Sequence, residues 1–470
     1  MLLAVALIGC VGVTCFSQRA REVAFFLMMA LAVVSDRFDV NLFSRYWYRG
    51  STRGVEISFI DVIALSVFIS SFLFPKAGFS RWRWPAGLGF MLLFFVYAFG
   101  STLAIEPRLF GMFEVSKMVR GLIFFLAAAM FVRSEREVGL LVLALCCAVC
   151  LEGALALKQR LFDHMGRAAG TLDHANSLSM YLCLIAPIFV AAINSTLPRM
   201  LRWFSAIALA AAAFAIVLTV SRAGIPIFVL VVLAATIWCI NWRMTLKKVA
   251  TVVIVVVGIG VVGVKFWDDV KERYVGSSLS EEYLDEKTID SRGYYLRLAR
   301  LMVEERFFGV GLNNWSYAVS KTYGRQLNTP YSDYDDIPFD FNENEDLNMN
   351  FAAPAHNLCA LTVGELGVPG LGLFLLMWLR WFQIGVSFLW RRQRTTLHLL
   401  GIGLFFGMAG VFLQSLTEWI FRQTPIYLTM HAMIGALASL YAIKKAASRE
   451  TEPLPVFEVS EYELAEASAN

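Results

Sequence analysis

The chain has 470 residues, of which 58% are hydrophobic and only 17% charged, with a net charge of +4. Soluble domains carry about a quarter charged residues, so this composition excludes an ordinary soluble globular protein. The apolar residues fall in blocks of roughly 15 to 22, about the length that crosses a bilayer. They predict an all-α polytopic membrane protein with about twelve to thirteen transmembrane helices.

In chain order the apolar segments are 2–16, 23–35, 57–74, 85–104, 115–132, 138–157, 176–193, 203–220, 223–240, 248–266, 358–390, 397–417 and 426–443. Segment 358–390 is longer than one span needs. The first has no charged region before it and reads as a membrane helix, not a cleaved signal. The eight cysteines all lie in or beside these segments, and none has zinc-ligand spacing with histidine. Neither a disulfide framework nor a structural zinc site is expected. Four parts follow: N-terminal membrane helices over 1–266, a long partly helical loop over 267–355, C-terminal membrane helices over 356–445, and an acidic tail over 446–470 that reads as disordered.

Alternate short loops are basic: Arg19/Arg21, Lys76/Arg81/Arg83, Arg133/Arg136, Arg199/Arg202, Arg243/Lys247/Lys248, Arg391/Arg392/Arg394 and Lys444/Lys445. The positive-inside rule places these in the cytoplasm, and the C-terminus with them. The opposite side should lack positive charge. Yet it carries Arg37, Arg45, Arg49, Arg53, Arg108, Arg160, Arg167, Arg222, Arg292, Arg297, Arg300 and Arg422. Arginine suits forked recognition of phosphate, so the set points to an anionic ligand. Any one arginine in a wet loop needs no such explanation.

Ser221-Arg222-Ala223-Gly224 lies between two apolar segments with almost no loop. An arginine at that depth is costly unless paired, and a structural ion pair or snorkelling would also account for it. Arg292 to Phe308 reads as an amphipathic helix with 292, 296, 299 and 303 on one face and Arg297 and Arg300 on another. Ser332 to Asp346 is acidic. It reads as a solvated flap, with a hard-cation site as the alternative. Pro354 then biases the chain towards extended geometry, and His356 and Asn357 are expected in the first turn of a helix. The positive end of a helix dipole disfavours a protonated imidazole, which suits His356 to the role of a general base. Gly364, Gly367 and Gly370 predict a groove for a neighbouring helix. Glu365 is expensive in lipid, so it should face protein or water. Glu418 and Arg422 are four apart and are expected to pair with each other. His398 and His431 read as structural, and His164 and His174 with Asp163 and Asp173 form no compact metal-ligand set.

Taken in order, Gly170–Asn176 before an apolar span, Ser221-Arg222-Ala223-Gly224, Arg292 followed by Gly309-Val310-Gly311, and His356-Asn357 with Glu365-Leu366-Gly367 and Gly370 resemble the O-antigen ligase and polymerase superfamily of bacterial membrane proteins. The resemblance covers about residues 165–440. It implies a GT-C-like fold and a metal-independent, inverting glycosyltransferase that needs no cofactor. It implies a glycan donor on undecaprenyl diphosphate, used on the periplasmic face of the inner membrane. The acceptor would be lipid A-core for a ligase, or another lipid-linked repeat unit for a polymerase. Relatives act in exopolysaccharide and other cell-envelope pathways. The family's functional positions fall on Arg222, Arg292 and His356. Further substrate contacts are expected at Arg53, Arg297, Arg300, Asn357, Glu365, Glu418 and Arg422. Membrane lipids are expected partners and nucleic acid is not. Ligase and polymerase share this chemistry, and the sequence does not separate them. A transporter would place its polar groups at the midplane of paired repeats, whereas here they gather at one face and no repeat is visible.

Overall fold

The computed structural model describes residues 2–76, 82–240, 283, 285–286, 288–289, 291–337, 349–390 and 395–450. Outside them lie the tenth apolar segment, residues 77–81 and 391–394 of two basic loops, the basic loop after the ninth segment, 338–346 of the acidic stretch and the tail from 451. Each of the other twelve segments coincides with a helix: α1 (Leu2–Phe16), α2 (Gln18–Leu31), α3 (Phe59–Leu73), α4 (Leu88–Ala104), α5 (Arg108–Phe131), α6 (Glu135–Leu161), α7 (Ala175–Ile193), α8 (Arg199–Leu218), α9 (Gly224–Cys239), α11 (Leu358–Val386), α12 (Thr396–Ser415) and α13 (Thr424–Glu450). Among the described residues, α6, α7, α8, α11, α12 and α13 are long and apolar enough to cross a membrane, and parts of α1, α3, α4 and α9 are shorter apolar helices. The protein is a polytopic membrane protein.

Glycines set how closely the helices pack. On α12, Gly403 and Gly407 repeat every four residues against α7: a Cβ on Gly403 would lie 2.8 Å from the Pro187 carbonyl, and one on Gly407 would strike the Leu184 carbonyl. In lipid, small residues at such a spacing let two backbones meet and gain dispersion contacts. With α8 and α9 also packed against it, α7 is almost wholly buried. In the same way Gly435 of α13 rests on the Phe125 carbonyl of α5.

Segment 358–390 has its excess length explained by a break. Inside α11, Gly367 sits at φ 68° and ψ −173°, a conformation open essentially to glycine alone, with Pro369 just beyond. A short half, 358–366, precedes the break; the longer half follows it. What approaches the broken region is mainly a loop, not the neighbouring helix predicted from its glycines. Val310 N–H donates to the Gly364 carbonyl (3.0 Å), Gly311 N–H to the Glu365 carbonyl (2.8 Å) and Val368 N–H to the Phe307 carbonyl (3.1 Å). The loop thus satisfies groups that a continuous helix would have paired internally. Gly364 also leaves room for the Trp315 ring and for Met302.

Within the long loop, α10 (Arg292–Glu305) is helical as expected, but the predicted face is rotated. Tyr294, Tyr295, Leu298, Ala299 and Met302 are buried, while Leu296 is exposed. The tyrosines supply the apolar surface that a reading based on aliphatic residues overlooked. Between α2 and α3 lies a hairpin, β1 (Asp39–Ser44) antiparallel to β2 (Gly54–Ser58), which the all-α expectation did not contain.

Candidate active site

His356 precedes α11 instead of lying in its first turn. Asn357 is the N-cap: its side-chain oxygen accepts from Ala360 N–H (2.9 Å), and its amide donates to the Leu416 carbonyl (2.7 Å). That cap fixes the short half of α11 against the α12–α13 connection. It also puts His356 beside the next residues of that connection. His356 Nδ1 lies 2.7 Å from Glu418 Oε2, and the imidazole side chain keeps 40% of its exposure while Glu418 keeps 5%. The Tyr295 ring packs on the imidazole at a centroid distance of 5.7 Å.

Glu418 is the junction of the site. Its other oxygen, Oε1, receives Arg292 Nη2 at 3.3 Å and Asn176 Nδ2 at 2.8 Å, and Arg292 Nε donates to the Thr417 carbonyl at 3.1 Å. Asn176 in turn accepts from Arg167 Nη2 (2.6 Å), whose Nε donates to the Thr219 carbonyl (3.0 Å). One helical turn along α7 from Asn176, Ser179 abuts Gly224, and Gln414 bridges Ser179 Oγ and the Asn176 carbonyl at 3.2 Å each. The turn carrying the half-buried Arg222 is therefore seated on the same stretch of α7 that anchors Glu418. Residues far apart in sequence meet here: His356 and Glu418, the α10 arginine, α7, and the turn before α9. Asn176 and Arg167 entered the sequence reading only within the Gly170–Asn176 motif and the set of outside arginines; their convergence on Glu418 is what the structure adds.

The other expected contacts lie elsewhere. Glu418 and Arg422 do not pair with each other. Ile420–Arg422 is a 3₁₀ turn, so the four-residue spacing does not put both side chains on one face. Arg422 instead donates from Nε to Glu114 (3.0 Å) and from Nη1 to Glu365 (2.7 Å), with all three side chains at least nine-tenths buried. Lys117 completes the group at 2.8 Å from Glu114 and donates to the Arg422 carbonyl at 2.6 Å. Two cations and two carboxylates balance. Glu365 thus faces protein, as the cost of an acid in lipid requires. Glu114 and Lys117, three apart on α5, were not among the expected contacts. Arg300 pairs with Glu304 at the surface (2.8 Å). Arg297 and Arg53 are exposed. In the described part of the acidic stretch, Asp333 pairs with Arg325 (3.0 Å) and Asp335 with Lys321.

A half-exposed imidazole held by a buried carboxylate that also receives an arginine is an arrangement that can take a proton from a hydroxyl. Residues 206–375 match the family model described as O-antigen ligase. The match spans Arg222, Arg292 and His356 and ends before Glu418. No curated protein matches the chain. The chain carries an O-antigen ligase domain over residues 206–375 and is a membrane glycosyltransferase of the O-antigen ligase or polymerase type.

Proposed function

We propose that the protein transfers a glycan from undecaprenyl diphosphate to an acceptor hydroxyl by a single inverting displacement at the periplasmic face of the inner membrane. His356 takes the hydroxyl proton while the acceptor oxygen forms a bond to the anomeric carbon. The bond from that carbon to the diphosphate breaks, and its electron pair leaves with undecaprenyl diphosphate. With Nδ1–H given to Glu418, Nε2 keeps the lone pair that a general base needs. Arg222 and Arg292 stabilise the charge that collects on the leaving diphosphate. A diphosphate leaves readily, so no general acid is required. The acceptor is lipid A-core or a comparable glycan or lipid in the ligase reading, and a second lipid-linked unit in the polymerase reading.

The observation that carries this is the bridging of His356 and Arg292 by the two oxygens of Glu418 (2.7 and 3.3 Å). The same contact favours a second part for Arg292, that of orienting Glu418. The test is donor binding and single-turnover transfer on detergent-purified variants. His356→Ala should bind donor normally and lose about 10²–10⁴ in rate. Arg222→Ala should weaken donor binding as well as turnover, and Arg222→Lys should remain impaired because it loses the fork. Transfer at the wild-type rate by His356→Ala would remove His356 from the chemistry.

A further inference from the structure

The β1–β2 hairpin carries an amphipathic surface that the catalytic site does not use. Strand β2 passes into α3 without an intervening residue, so the hairpin is fixed at the membrane end of an apolar helix. Its acidic residues turn towards Arg120 of α5, which lies 2.9 Å from Asp39 and 3.9 Å from Glu56, and 3.0 Å from Asp61 in the first turn of α3. Side chains alternate along a strand, so Val40, next to Asp39, points away from Arg120. Phe38 is 50% exposed, Val40 48%, Leu42 58% and Tyr46 52%. Arg37 and Arg53 are exposed, and Arg45 lies over the Phe43 ring at 4.7 Å. None of these three arginines forms an ion pair among the described residues.

Exposed aromatic and aliphatic side chains interleaved with arginine are the composition of a membrane interface: the apolar parts enter the acyl boundary and the guanidinium groups reach phosphates. We propose that this hairpin rests on the bilayer and binds the headgroups of anionic lipids in the adjoining leaflet. Charge selects the occupant, because the inward-facing acids are taken up by Arg120 and the outward surface is left positive. The proposal does not depend on the catalytic reading.

The full-length protein, with p-benzoylphenylalanine in place of Leu42, would be irradiated in nanodiscs of equimolar phosphatidylglycerol and phosphatidylcholine. Adducts would be identified by mass spectrometry. Arg300, exposed on α10, serves as the control position. Lipid adducts are expected at 42 and not at 300, with phosphatidylglycerol favoured on the order of fivefold per arginine engaged. Arg37→Gln with Arg45→Gln should reduce that preference while the lipid adduct itself persists. Absence of lipid adducts at 42, adducts to another protein there, or equal yields from the two lipids would overturn the proposal.

Discussion

Glu418 decides how His356 behaves, because one buried carboxylate fixes both the imidazole and Arg292. Glu418→Gln keeps the size and a hydrogen-bond acceptor but removes the charge that, in the proposed mechanism, steadies a protonated His356. Single-turnover transfer should fall on the order of 10- to 10³-fold with donor binding largely retained, measured on the purified variant. His356, Arg222 and Arg292 were legible in the sequence because each is a costly or oddly placed polar residue beside an apolar run. Asn176 and Arg167 appeared there only as parts of a longer motif and of a larger set of arginines. Their meaning lies in contacts across the fold: Asn176 reaches Glu418 from 242 residues away. Glu418 was visible but misread, since helical spacing was assumed where the chain makes a 3₁₀ turn.

Two elements each make a prediction, the break in α11 beside the site and the hairpin on α5. Gly367 is left-handed, and a Cβ there would strike the Phe307 carbonyl. Gly367→Ala should cost about 3 kcal/mol or more from backbone strain and the clash, read as a lower unfolding temperature in detergent. The hairpin is tied to α5 through Asp39, whose carboxyl burial pushes up from 3.8 to about 7, with Glu56 adding and Arg120 opposing. The folded state therefore holds a proton that the unfolded chain releases between about pH 4 and 7. Asp39 contributes most stability at the acid end of that window, and its contribution falls as pH rises to 7. Asp39→Asn should remove that fall, so the gap in unfolding temperature between wild type and variant should change steadily across the window and level off above it. The hairpin was hidden in the sequence because an extended pair of 6 and 5 residues is too short to show a clear alternation beside so many long helices.

At the scale of the molecule, hydropathy alone revealed most of the architecture, since a bilayer demands long apolar helices and permits few alternatives. What it did not reveal was the break at Gly367, because the apolar run continues through it and its glycines were read as a packing groove. The alternation of basic loops still needs its own test. A reporter fused after Asn314 should behave as periplasmic and one fused after Arg394 as cytoplasmic; reports from the same side would dismantle the proposed orientation. If arginines do the work of a cation, transfer from purified lipid diphosphate should survive EDTA. Loss restored by magnesium or calcium would bring the acidic stretch at 332–346 into the reaction.

The seam between loop 307–311 and the broken helix is stitched by main-chain groups, and main-chain groups are common to every residue except proline. Gly309 and Gly311 sit at positive φ with no room for a Cβ and Val310 is buried, so within that loop only the side chains of Phe307 and Phe308 are free of the seam. Phe307 and Phe308 are 55% and 62% exposed and can be exchanged without unpicking the seam. A lineage could rewrite those two exposed positions while the main-chain seam behind them stayed intact.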